Sequence, residues 1–142
     1  MQPMQPSRNR RQARQPEADS LLVLMDQWPE SWAGDDKDEP IGRAIVELLR
    51  PFVVHLQTQG FSRKTVRRHL DNLWAIGGEI IREINDDRTL RSRRPERLLL
   101  DAIQDGNAPL ARHATDVQQA ALSATARRLL QFLTTQESPA AP

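Results

Sequence analysis

Four stretches of this chain place their apolar residues at steps of three and four, the period of α-helices that each bury one side. The first runs from Ile41 through Ala44, Ile45, Leu48, Leu49, Phe52, Val53 and Leu56, with Pro40 suited to its first turn and Gly60 to its end. Pro51 falls inside it and predicts a kink or a stop and restart. Ser62 then caps a second helix whose buried line is Val66, Leu70, Leu73, Gly77, Ile80 and Ile84. Glycine at 77 and 78 costs about 1 kcal/mol each against alanine, which predicts either the close approach of another helix or a local kink. A third helix starts at Pro95 and carries Leu98, Leu99, Leu100, Ala102 and Ile103 towards Gly106. In the fourth, Thr115 and Gln118 form a capping box ahead of Val117, Ala121, Leu122, Ala126, Leu129, Leu130 and Leu133, ending near Gln136.

The expected fold is all-α: a bundle of four main helices arranged as two packed hairpins, with a short extra helix or extended segment at Ser20 to Trp28. Residues 1–19, rich in Gln, Pro and Arg and without apolar period, are expected to be a disordered basic arm carrying Arg8, Arg10, Arg11 and Arg14. Residues 20–39 read as the apolar segment followed by an acidic, solvated linker; 40–136 as the core domain; 137–142 as a polar tail. A chain of 142 residues has room for this single core and its tails. Cysteine is absent, which excludes disulfides and thiolate metal sites. No apolar run suits a secretion signal or approaches the ~20 residues of a membrane helix, so a cytoplasmic protein is expected.

Net charge is only +1, but its distribution is uneven. Arg63, Lys64, Arg67 and Arg68 fall within an arc of about 140° at the start of the second helix, off its apolar line. There the free amides and the helix dipole also favour an anion, so phosphate contact is the functional reading. Asp71, one turn on, offers the alternative of surface ion pairs. A second basic group, Arg88, Arg91, Arg93, Arg94 and Arg97, is interleaved with Asp86, Asp87, Glu96 and Asp101, and reads equally as a backbone clamp or as a mixed-charge loop. A third signal is an internal echo: counted from Thr65 and from Thr125, two arginines and two leucines recur at identical offsets, each threonine preceded by Ser62 or Ser123.

The stretch PFVVHLQTQGFSRKTVRRHLDNLWAI resembles the N-terminal core-binding domain of tyrosine recombinases and phage integrases, and LSATARRLLQFL resembles that domain's fourth helix. The resemblance spans roughly residues 41–136 and implies a helical bundle forming one half of a clamp around DNA. Carried over, Ser62, Arg63, Lys64, Thr65, Arg67, Arg68, Ser123, Thr125, Arg127 and Arg128 would face the DNA, with Arg91, Arg93 and Arg94 as the further basic candidates. The chain has no tyrosine, which that family needs as nucleophile, and no catalytic domain follows in it. The resemblance therefore implies a binding half without its enzyme, a bacterial recombination or mobile-element accessory with duplex DNA, and a recombinase or a second copy, as partners.

Direct signs of chemistry are few. His55, His69 and His113 are too far apart in sequence for a helix-borne zinc site, and no phosphate loop or nucleophile elbow is present. Glu79, Glu83, Asp86 and Asp87 could hold Mg²⁺, but a solvated charge run with Arg82 and Arg88 explains them more simply. The expectation is a non-catalytic protein without cofactor. The competing expectation is a helical protein-interaction or dimerisation module, motivated by the apolar segment Leu21 to Trp28. Trp74, on the border of the apolar line and the basic arc, is read as sealing the core edge or stacking on a base.

Overall fold

The local rules at the helix ends are obeyed where the sequence offers a cap. In the computed structural model, which describes residues 21–137, Ser62 Oγ accepts the amide of Thr65 at 3.1 Å and opens a helix over Arg63–Asp86. Thr115 and Gln118 exchange hydrogen bonds of 2.9 and 3.1 Å and open another over Asp116–Glu137. Among the described residues, 21–24 are helical, and after them five α-helices follow in order: α1 Trp28–Trp32, α2 Asp38–Thr58, α3 Arg63–Asp86, α4 Pro95–Ile103 and α5 Asp116–Glu137. Single 3₁₀ turns at Met25–Gln27 and Arg88–Ser92 precede α1 and α4. The described residues contain no strand, and none of their helices is long and apolar enough to cross a membrane. Segments 1–20 and 138–142, with the basic arm and Ser20, lie outside the described residues.

The four main helices of the sequence reading are therefore α2 to α5. Helix α2 is continuous through Pro51, which is exposed, rather than interrupted there. Its end is fixed by Gly60, whose φ of +82° is open to glycine at no steric cost. Helix α3 is the centre of the bundle and touches every other α-helix. Val66, Leu70, Leu73, Ile76, Ile80, Ile81 and Ile84 of α3 are buried against Ile45, Leu49, Phe52, Val53 and Leu56 of α2, Leu98, Leu99 and Ile103 of α4, and Leu122, Ala126 and Leu129 of α5. Each such aliphatic side chain contributes about 1.5–3 kcal/mol by leaving water.

The segment ahead of α2 is an integral part of this core and not a free connector. Leu21, Met25 and Trp28 are buried, which leaves only Val23 and Leu24 of that apolar patch exposed. Trp32 lies across the α2–α3 pair at the glycines. A Cβ added to Gly77 would stand 2.4 Å from Trp32 Cζ2, and one added to Gly42 would stand 3.1 Å from Pro29 Cα and 3.3 Å from the Trp32 ring. Close approach, one of the two expectations for Gly77, is what the glycines permit, although the approaching group is a tryptophan side chain. The indole is pinned as well as packed: Trp32 Nε1 donates to the Trp74 carbonyl at 3.0 Å, and Trp74 Nε1 donates to Ser31 Oγ at 3.0 Å.

Because Trp32 is held at both its ring face and its nitrogen, it cannot simply swing away from a methyl group at position 77. Gly77→Ala is expected to cost on the order of 1–3 kcal/mol by overpacking, less the ~1 kcal/mol that alanine returns in helix propensity. In a Trp32→Ala background the same substitution should instead stabilise by about 1 kcal/mol. Urea unfolding of the four proteins measures both, and a Gly77→Ala effect of the same sign in both backgrounds contradicts the packing described.

Candidate nucleic-acid interface

At the start of α3, Ser62 Oγ is occupied by capping and also donates to Thr65 Oγ1 at 3.1 Å, so both hydroxyls are committed to the helix end. Arg63, Lys64, Arg67 and Arg68 are all exposed there. Arg67 Nε reaches Asp71 Oδ1 at 3.3 Å, the surface pair that competes with a phosphate role. No carboxylate of the described residues is ion-paired with Lys64 or Arg68. Arg63, Lys64 and Arg67 border a groove beside Leu21.

The echo in α5 folds differently from its twin. Ser123 to Arg128 lies in the middle of α5, not at its start, so no free amides and no dipole end accompany it. Ser123 is buried and its Oγ accepts the Ala108 amide at 3.0 Å. Thr125 is 0% exposed, and its hydroxyl meets His69 Nδ1 at 2.8 Å and the Asn72 side-chain amide at 2.9 Å. Ser123 and Thr125 are thus corrected from DNA-facing to packing residues, because a phosphate cannot reach them. Arg127 and Arg128 are exposed. Arg127 donates to the Gly106 carbonyl at 3.3 Å, and the Arg128 guanidinium carbon stands 5.0 Å from the Phe61 ring centre.

These contacts bring the two basic stretches together. Phe61, under Arg128, immediately precedes the cap of α3, and its ring lies 6.2 Å from that of His69. His69 is half-buried and tied to α5 through Thr125. Its pKa is lowered from the ordinary histidine value, first by desolvation and then by the charges of Arg128 and Arg68. Arg68 of α3 and Arg128 of α5 therefore act on one imidazole beside Phe61, and Lys64 lies one helical turn before Arg68 on α3.

Beside that face, between the C-terminal parts of α2 and α5, is a cleft of about 210 Å³. Phe52, His55, Phe61 and Phe132 supply ring surfaces, with Arg128 and Thr135 also lining it. The Phe132 ring centre lies 5.6 Å from that of Phe52 and 4.9 Å from that of His55. His55 belongs to this lining. Trp74 is 45% exposed and lies on the α1 side, bordering a separate groove with Leu24 and Trp28.

The second basic group does not join the face. Arg91 turns inward, donating to Asp38 Oδ1 and Asn85 Oδ1 at 3.3 Å each. Asp38 is 1% exposed, and its Oδ2 accepts from the amides of Gly34 and Asp35 and from Asn85 Nδ2 at 2.9–3.0 Å. A buried carboxylate is tolerated when paired and fully hydrogen-bonded, so Arg91 is corrected from a DNA candidate to the counter-ion of Asp38. Arg93 and Arg97 pair with Asp101 at 3.4 and 3.7 Å, and Arg94 with Glu96 at 3.5 Å. Glu79, at the carboxylate-rich end of α3, pairs with Arg82 at 3.4 Å.

The chain matches no family model, no curated protein and no solved structure.

Two measurements probe these assignments. Removing the charge of the buried partner in Asp38→Asn is expected to cost up to about 3–5 kcal/mol, since it leaves Arg91 only the more distant, partly exposed Asp35 carboxylate at 3.9 Å, whereas Asp35→Asn should cost under about 1 kcal/mol. Urea midpoints compare the two. For His69, the folded form holds protons less well than the unfolded chain. Its contribution to stability is fully present above the unfolded value near 6.5 and is lost as pH falls through the folded value. Thermal melts should fall from pH 7.5 towards pH 5, and His69→Gln should flatten that part of the profile; an unchanged slope contradicts the placement of His69.

Proposed function

We propose that the chain binds duplex DNA without catalysing a reaction on it. The observation that carries this reading is the convergence of Arg68 and Arg128, from two helices, about Phe61 and His69, with the exposed Lys64 one turn before Arg68. Cations without carboxylate partners are the groups that gain most from a phosphate backbone, because they release counter-ions from it and give up no ion pair of their own. Arg127 borders the same run, and Arg63 and Arg67 extend it along the first turns of α3. Guanidinium groups suit the two-pronged recognition of phosphate oxygens. The absence of a tyrosine together with the resemblance to a recombinase core-binding domain supports an accessory role, a bacterial cytoplasmic protein acting in recombination or with a mobile element. Arg93 and Arg94 are secondary in this reading, since each must leave a carboxylate before meeting a phosphate.

Titration of a fluorescent duplex by anisotropy across a salt series tests the reading. About four phosphate contacts give a log–log slope near −3.6. Arg68→Glu/Arg128→Glu should abolish binding at moderate salt, while Arg93→Ala/Arg94→Ala should leave it within about twofold. No binding at low salt, or equal loss from both pairs of changes, overturns it.

A further inference from the structure

The cleft between α2 and α5 opens directly onto the basic face, and its chemistry differs from that face. The rings of Phe52, His55, Phe61 and Phe132 line it beside the polar Gln59, Gln131 and Thr135, and the Arg128 guanidinium carbon, also at the lining, stands 5.0 Å from the Phe61 ring centre. Rings beside amide and hydroxyl side chains favour a flat body that also carries polar edges, and a guanidinium without a carboxylate partner favours an anion attached to it. The volume sets the size. About 150 Å³ holds a benzene ring, and 210 Å³ in a cleft open on one side has room for a single nucleobase but not for a stack of them. The chain also has too few aromatic residues, at 4%, to build an extended single-strand platform.

We propose that this cleft receives one unstacked nucleobase of the bound DNA, stacked among Phe61, His55 and Phe132, with the adjoining phosphate on Arg128. The inference rests on the DNA-binding reading above and sharpens it: the preferred ligand is a duplex interrupted by an extrahelical base. The basic face holds the flanking backbone, and the cleft distinguishes an interrupted site from continuous duplex. Base–aromatic stacking is insensitive to base identity, so the preference is for an unpaired base of any kind.

The test uses closed DNA dumbbells, which have no ends, one fully paired and one carrying a single unpaired adenine. Anisotropy titrations with the full chain should show the unpaired adenine binding on the order of tenfold more tightly, the scale of one base–aromatic stack. Thr135→Trp, which fills the cleft from an exposed position on α5, should remove that advantage and leave the fully paired affinity unchanged. Gln59→Phe fills it from the α2 side and stands in should Thr135→Trp fail to fold. Replacing the unpaired adenine by 2-aminopurine should give quenched emission on binding, as its ring stacks. Equal affinity for the two dumbbells, or a preference that both filling variants retain, overturns the cleft's role while the duplex reading stands. Binding to neither dumbbell removes the duplex reading and this inference with it.

Discussion

The fold depends on one steric fact: the ring of Trp32 occupies the space that any side chain larger than hydrogen would need at position 77. That contact brings the segment 21–37 down onto the α2–α3 pair. From there, the geometry propagates. With α1 seated, the turn at 34–38 places Asp38 inside, and Asp38 draws Arg91 and Asn85 together across the end of α3. The Trp32–Trp74 and Trp74–Ser31 hydrogen bonds fix the same docking from the solvent side. A packing contact and a buried charge network thus hold the two ends of the N-terminal unit, the first at mid-α3 and the second at its C-terminus.

This division of labour separates the arginines. Most of those from the turn after α3 into α4 are held by carboxylates, Arg91 by Asp38, Arg93 and Arg97 by Asp101, and Arg94 by Glu96, while Arg88 is exposed. At the other end of α3 the balance is different. Only Arg67 of Lys64, Arg67 and Arg68 is paired with a carboxylate there, and Arg128 rests on an aromatic ring. Formal net charge of +1 does not record which arginines are paired and which are not. A phosphate backbone interacts with charge that is locally uncompensated, and a mean over the chain does not measure that.

Much of the scaffold was legible in the sequence, because helix period and end signals are local. Ser62, Gly60 and the Thr115–Gln118 box each act within one turn, and the four main helices follow from them. What was not legible depended on contacts between distant residues. Asp38 looked like one more charge in an acidic linker, and its partner Arg91 lies 53 residues away. The repeated Ser-Thr-Arg-Arg pattern suggested two equivalent surfaces, but helix phase is set by what packs around each copy. In α3 the serine and threonine close a helix end; in α5 they point into the core and bond Ala108, His69 and Asn72. The arginines of both copies are exposed. The aromatic cleft left no periodic trace because its rings come from α2, the α2–α3 turn and α5.

The central claim is that one face, built from the start of α3 and the middle of α5, meets DNA while the arginines after α3 serve the fold. Amide chemical-shift mapping on addition of a short duplex tests it in a single experiment. The account predicts perturbations concentrated at residues 61–69 and 124–132, with 88–97 little changed. Perturbations centred on 88–97, or none at any residue at low salt, would contradict it.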